Sequence, residues 1–322
     1  MRPRVTLLLP IEFKDIYERR LRGSFNSQYQ MREIFFDRLY SKGEMINLAS
    51  DEEALVITLE PVDREVLVAY RELKIVAKFG VGYDNVDVEA AKEGGIFVTN
   101  APGSNAKSVA ELAMGLMLSV IRSIPHINNR TKSGSWELIL GRELYQKTLG
   151  VLGLGRIAKE LVRKVKGFEM RVLAYDVVRD DRFAAEWNVE YTDIDRLASQ
   201  SDFISIHLPL SQDTYHLVDR KFLAKMKRGA VLINTARGQI VNEKHLIEAL
   251  EQKRIGGAGL DVFEQEPPSS ESPLFKANLD YIVTTAHVGG STKEAITRIG
   301  EITKRNIDAA LEGRLPPNNV YS

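Results

Sequence analysis

One stretch restricts this chain more than any other. Leu149–Asp176 reads LGVLGLGRIAKELVRKVKGFEMRVLAYD. An apolar run leads into Gly153-Leu154-Gly155-Arg156-Ile157-Ala158. A helical pattern follows, with Ile157, Leu161, Val162 and Val165 on one face and Lys159, Arg163 and Lys164 on the other. A second apolar run, Val172–Tyr175, stops on Asp176. Strand, glycine turn, helix, strand and acid in this order form the dinucleotide-binding fingerprint in its required context. Gly153 allows a turn tighter than a Cβ permits, and Gly155 lets the backbone approach a pyrophosphate. The helix starting near Arg156 aims its free N–H groups at that anion. Asp176 can accept from ribose hydroxyls and would repel the extra phosphate of NADP, so the expected cofactor is NAD.

The remaining bulk properties narrow the class. A chain of 322 residues is long enough for two domains. Lys+Arg and Asp+Glu both number 44, so nothing in the charge points to a nucleic-acid or membrane partner. The run Arg19-Arg20-Leu21-Arg22 reads as a solvated helix face. The absence of cysteine excludes disulfides, thiol catalysis and thiolate-bound zinc. The opening MRPRVTLLLP is broken by Pro10 and reads as a first strand, not a signal peptide. A cytoplasmic protein is expected. No GxSxG elbow, HExxH, P-loop or EF-hand spacing occurs, so no metal site is expected.

Along the chain, strands are expected at Val5–Leu9, Ala54–Leu59, Leu73–Phe79 and Ile96–Asn100. Ile11–Leu21 and Gln30–Leu39 read as helical, with Gly23–Gln28 as a loop. Short helices alternating with strands imply a parallel sheet. Asn105–Ile124 is a long helix whose apolar residues exceed a single stripe, which suits a helix between domains or a dimer interface. Residues 125–148, with Trp136 and Leu138–Leu140, read as an interface arm, against a plain surface segment. Six apolar runs from Leu149 to Thr285 then form a second doubly wound unit. Lys293–Leu311 is a final amphipathic helix.

Ligands of open parallel sheets bind beyond the carboxyl ends of the strands. Those ends carry His207, Arg237, Asp261 with Glu264 and Glu266, and His287. Hydride transfer to a 2-oxo acid needs a clamp for the carboxylate and an acid for the developing alkoxide. Arg237 offers the planar fork, His287 the titratable ring, and Glu266 the carboxylate that orients it. His207 competes with His287 for the acid role. The glycines following His287 suit close ligand approach, Arg237 could instead touch a cofactor phosphate, and Glu266 could merely begin a turn.

The motifs GVGYDNVD (Gly80–Asp87), NAPGSNAKSVAEL (Asn100–Leu112), GVLGLGRIA (Gly150–Ala158), HLPL (His207–Leu210), INTARGQIV (Ile233–Val241), GLDVFEQEP (Gly259–Pro267) and AHVGGST (Ala286–Thr292), taken in order, resemble the D-isomer-specific 2-hydroxyacid dehydrogenases, closest to the phosphoglycerate dehydrogenases. The resemblance implies an α/β fold of two doubly wound parallel-sheet domains. A Rossmann NAD-binding domain (104–290) would be inserted in a flavodoxin-like substrate domain (1–103 and 291–322). It implies the catalytic set Arg237, Glu266 and His287. Cofactor contacts would come from Val81, Gly153, Gly155, Arg156, Ile157, Asp176, His207, Leu208, Thr235, Asp261 and Gly290. Val81, Gly82 and Arg237 would hold the substrate carboxylate. Lys78 stands where phosphoglycerate enzymes carry a basic residue, which makes it a candidate phosphate contact, against an ordinary exposed lysine. A homodimer is implied. The substrate would be a small 2-hydroxy or 2-oxo acid, with 3-phosphoglycerate, glyoxylate and hydroxypyruvate as candidates. Ala158 and Ala286 are mild departures from the family pattern. The chain ends at Ser322 without the regulatory domain that some relatives append, so control through such a domain is not expected. The alternative of a different class is an NAD-binding, corepressor-like scaffold with little turnover.

Overall fold

A computed structural model describes residues 2–276 and 281–321. The chain forms two compact units, Met1–Asn105 with Gly290–Ser322, and Ala106–Gly289.

The first unit holds a five-stranded parallel sheet in the order β2-β1-β3-β4-β5. The strands are β1 (Arg4–Pro10), β2 (Gln30–Phe36), β3 (Ala54–Ile57), β4 (Ile75–Lys78) and β5 (Phe97–Thr99). This is the flavodoxin-like order. β3 and β4 are buried at every position, as strands covered on both faces must be. Helix starts are capped where the sequence offers an acceptor. Ser41 and Glu44 close a reciprocal capping box, and Asp63 accepts from the Val66 N–H. Helix Lys293–Leu311, capped by Thr292, returns to this unit. There it packs Ala295, Ile296, Ile299, Ile307 and Ala310 into one core with Val5, Leu7 and Leu9.

Two local expectations fail here. Gln30–Phe36 is the edge strand β2, paired with β1 from Arg4↔Gln30 to Pro10↔Phe36, and not a helix. Its apolar Met31, Ile34 and Phe35 have helical spacing by accident, and an edge position tolerates the polar Arg32 and Glu33 between them. The expected loop Gly23–Gln28 begins as helix, Arg22–Asn26, because Phe25 is drawn into the core.

The second unit holds a seven-stranded parallel sheet in the order β12-β11-β10-β9-β6-β7-β8. The strands are β6 (Thr148–Leu152), β7 (Arg171–Tyr175), β8 (Val189–Tyr191), β9 (Phe203–Ile206), β10 (Val231–Asn234), β11 (Gly257–Leu260) and β12 (Ile282–Thr284). Counted within the unit, this is the doubly wound dinucleotide order with one strand added, and its direction reverses between β6 and β9. Sequence reading gave six strands. The missed β8 is a three-residue edge, too short to show alternation.

Helix Ala106–Ile121 buries residues around most of its circumference, including Val109, Ala113, Leu116, Met117 and Val120. Ala113, Leu116, Met117 and Val120 fill the core beside Leu161, Val165 and Ile233 of the same unit. Among the described residues no single helix is long and apolar enough to cross a membrane. The one pair that passes together, Ala106–Ile121 with Ile124–Lys132, is bent by 61°.

Candidate active site

At the reversal point the backbone is committed by hydrogen bonds before any side chain matters. The Gly153 N–H donates to the Tyr175 carbonyl at 2.8 Å, and the His207 N–H to the Leu152 carbonyl at 2.7 Å. Gly153 has φ +91°, and a Cβ there would lie 3.0 Å from the His207 carbonyl and the Leu208 nitrogen. A side chain at this position is both strained and crowded. Gly155, by contrast, is exposed and caps helix Arg156–Val165 with no side chain of its own. A Cβ on it would meet nothing within 4 Å. The first turn of that helix, with Arg156 exposed beside it, is an open anion seat.

Asp176 anchors this turn. Its carboxylate accepts from the Leu154 N–H at 2.6 Å and the Val178 N–H at 2.9 Å, one bond to each oxygen. His207 and Leu208 follow β9. The His207 Nε2 lies 2.9 Å from the Ser205 hydroxyl, and burial pushes its pKa down to about 4, so the ring is neutral near pH 7. Its Nδ1 and the Thr235 hydroxyl are buried with no hydrogen-bond partner among the described residues. Buried polar atoms without partners are rare and point to a missing one. An uncapped helix start, a cradle that only glycine fits and two orphaned polar atoms on neighbouring strand ends all fit a dinucleotide.

The next three strand ends bring the expected reacting groups to one rim. After β10, the Asn234 amide donates to the Arg237 carbonyl at 2.9 Å, and its oxygen accepts from the Ala236 N–H at 3.1 Å. Sequence reading passed over Asn234, although it is the one polar side chain closing an apolar strand. Gly238 follows Arg237, and a Cβ on it would overlap the Phe263 carbonyl carbon at 1.8 Å. The loops after β10 and β11 therefore lie backbone against backbone, a contact that no single-strand pattern reveals.

After β11, Asp261 is 1% exposed. One carboxylate oxygen accepts from the Thr285 hydroxyl at 2.6 Å and the Val288 N–H at 2.9 Å, and the other from the Gly289 N–H at 2.8 Å. It thus grips the segment that carries His287. His287 itself has φ +51°, a left-handed conformation that a non-glycine residue adopts only when its surroundings impose it. Its Nδ1 lies 2.6 Å from a Glu266 carboxylate oxygen, and the other Glu266 oxygen accepts from the Phe263 N–H at 3.0 Å. Burial opposes charge on Glu266. The bond to and charge of His287, the Phe263 N–H and the Arg237 charge outweigh it, and hold its carboxyl below the usual glutamate value. The carboxylate takes the Nδ1 hydrogen, which leaves Nε2 for other chemistry.

The other residues singled out in the sequence lie in the first unit. The Val81 carbonyl accepts from the Asn100 amide at 2.6 Å, and Gly80 from the Ala101 N–H at 2.8 Å. Lys78 is not an exposed lysine. It is 4% exposed, and its ammonium donates to Asn85 at 2.8 Å. Burial pushes the neighbouring Glu60 carboxyl up, opposed by the Lys78 charge. Gly290 also belongs to this unit, with the Asn105 side chain against its Cα.

Residues 114–289 match the family model described as D-isomer specific 2-hydroxyacid dehydrogenase, NAD binding domain. The chain is 41% identical over 287 residues to a glyoxylate reductase of Korarchaeum cryptofilum, covering 87% of this chain and 86% of that protein. It is 43% identical over 284 residues to a D-3-phosphoglycerate dehydrogenase of Methanocaldococcus jannaschii, covering 87% of this chain but 54% of the other. Among solved structures, D-lactate dehydrogenase of Aquifex aeolicus complexed with NAD and lactic acid superposes with TM-score 0.82 at 29% identity over 96% of both chains. None of these is a corepressor, and the scaffold alternative has no support. With a dinucleotide turn, a histidine–carboxylate pair and an arginine on one rim, the chain belongs to the D-isomer specific 2-hydroxyacid dehydrogenases, as an NAD-dependent oxidoreductase that transfers hydride between nicotinamide and a small D-2-hydroxy or 2-oxo acid.

Proposed function

We propose that Arg237, Glu266 and His287 are the catalytic set of a D-2-hydroxyacid dehydrogenase that works on small unphosphorylated acids, with glyoxylate and hydroxypyruvate foremost. The 2.6 Å bond between Glu266 and His287 Nδ1 carries this reading. In it, Nε2 of His287 gives its proton to the carbonyl oxygen of a 2-oxo acid as hydride arrives, and takes it back in the reverse direction. Glu266 fixes the ring's orientation and stabilises the imidazolium. The Arg237 guanidinium grips the substrate carboxylate through two parallel hydrogen bonds. Bound NADH supplies the hydride.

The cofactor is proposed to rest on Gly153, Gly155, Arg156, Ile157 and Asp176, with His207, Leu208, Thr235, Asp261, Val81 and Gly290 as further contacts. The second unit would then be the nucleotide domain and the first the substrate domain, with Val81 and Gly82 binding the acid. Lys78 is better read as the anchor of their loop than as a phosphate reader, because its ammonium is buried and bonded to Asn85. This favours glyoxylate and hydroxypyruvate over phosphorylated acids. The test is NADH oxidation at saturating NADH with glyoxylate, hydroxypyruvate, pyruvate and phosphohydroxypyruvate. A preference for the phosphorylated acid would refute the substrate reading.

The proposal includes a homodimer in a cytoplasmic setting, where the coenzyme is kept. Helix Ile124–Lys132 is followed by a stretch without regular structure. On it Trp136 is 90% exposed and Leu138 and Leu140 are 99% exposed, at the two-residue spacing of one strand face. A second copy of the chain is the occupant that would bury them. Light scattering should give twice the chain mass, and Trp136→Ser with Leu138→Ser should shift it toward one.

A further inference from the structure

We infer that Glu264 and His216 form a second histidine–carboxylate pair, one that positions Glu266 and the Arg237 loop without touching substrate. The inference rests on the catalytic reading of Glu266 and His287. Glu264 lies two residues before Glu266, and its backbone N–H, its carbonyl and one carboxylate oxygen are all engaged. One carboxylate oxygen is 2.9 Å from His216 Nε2 and accepts from the Glu243 N–H at 3.0 Å. Its own N–H donates to the Glu243 carboxylate at 2.6 Å. Its carbonyl accepts from the Gln239 amide at 2.9 Å.

His216 is itself held from several sides. It has φ +50°, its ring stacks on Tyr215 at 4.0 Å, and its Nδ1 lies 3.2 Å from the Asn242 amide. Its N–H donates to the Gln239 carbonyl at 2.9 Å. Residues 239–243, which immediately follow the Arg237–Gly238 corner, are thus tied to position 264. The Gly238 corner already presses on Phe263, whose N–H is the donor to Glu266. Three strand-end loops meet at Glu264: its side chain bonds His216 and the Glu243 N–H, and its backbone bonds Gln239 and the Glu243 carboxylate.

Glu243, Glu264 and Glu266 are three carboxylates in one cluster. Burial, and then the charges of Glu264 and Glu266, push the Glu243 carboxyl up. His216 Nε2 lies 2.9 Å from the second of these carboxylates, as His287 Nδ1 lies 2.6 Å from the third.

Wild-type turnover with NADH across glyoxylate, hydroxypyruvate, pyruvate and phosphohydroxypyruvate comes first, because its absence with all four would refute the catalytic reading itself and, with it, a pair that positions Glu266 for catalysis. Given turnover, Glu264→Ala and His216→Ala should each lower kcat by about tenfold to a hundredfold, the effect of a small misplacement of reacting groups. The KM for the acid turned over and the Kd for NADH, read by fluorescence quenching, should stay within about threefold. The double variant should lose no more than either single one, as residues acting as a unit do. Glu264→Gln keeps the accepting oxygen and should recover most of the loss. If the alanine forms do not fold, His216→Phe, which keeps the stack on Tyr215 but removes the ring nitrogen facing Glu264, is the test variant, with the same loss in kcat expected. Unchanged kcat, losses that multiply in the double variant, or a fall in kcat matched by equal losses in NADH affinity and Tm would each overturn the proposal.

Discussion

Two histidines stand one residue or a few beyond the ends of parallel strands in the same sheet, and their surroundings make them opposites. His207 follows β9 directly. It is bonded to a neutral hydroxyl, its other nitrogen is buried without a partner among the described residues, and burial depresses its pKa to about 4. His287 follows β12, twists into a left-handed conformation and meets a carboxylate held in the charged form. Residue type and topological position are nearly shared, so neither assigns the role. The partner does: an anion beside the ring suits proton transfer, while a hydroxyl in a dry pocket suits a fixed neutral dipole.

The comparison breaks most easily at His287. Its replacement by alanine should lower kcat by about 10²–10⁴-fold while leaving NADH binding intact, because a positioned acid contributes that much. Retained turnover would move the proton-transfer role elsewhere, with His207 the first place to look. Glu266→Gln keeps the shape but removes the charge, and should cost about tenfold to a hundredfold in kcat.

The same variant has a pH signature. The Glu266 pKa is lower folded than unfolded, so its stabilising effect is present above the unfolded value of about 4.3 and is lost as pH falls through the folded value. The Tm gap between wild type and Glu266→Gln should therefore be widest near neutral pH and close in acid.

For His207 the sign runs through the base form. Unfolded histidine takes up a proton near pH 6.5, and the folded one only near 4. Stability should rise with pH across that window, because the unfolded state binds more protons there. His207→Asn should flatten the slope in a Tm–pH series and change kcat by no more than about fivefold, its main effect falling on KM for NADH. The smallest effect expected is that of Ser205→Ala. It removes the hydroxyl partner of a ring that is already neutral, and should raise KM for NADH by about twofold, the low end of the worth of one neutral hydrogen bond. A loss as large as that of Glu266→Gln would erase the contrast between the two histidines.

Much of this was legible in the sequence because the signals are local. Gly153-Leu154-Gly155, the helix behind it and Asp176 lie within one βαβ stretch, and Arg237, Glu266 and His287 each follow an apolar run. The illegible parts depend on what lies across from a residue. Met31, Ile34 and Phe35 have helical spacing, but the pairing of β2 with β1 decides their conformation. Gly238 reads as any loop glycine until the Phe263 carbonyl is placed against it. Lys78 reads as a phosphate contact or an exposed lysine until its burial and its bond to Asn85 are seen. Asn234 and Glu264 were in view as letters of motifs, but their work is to hold neighbouring loops, which no spacing reports.

The grip of Asp261 on the chain ahead of it limits redesign of this rim. Three donors converge on that carboxylate, two on one oxygen and one on the other. An asparagine is the same size but owns a single acceptor, so its NH₂ would be forced against a donor whichever way the amide turned. Anyone recutting the rim for bulkier acids must leave Asp261 alone, since the most conservative-looking exchange would displace the segment that carries His287.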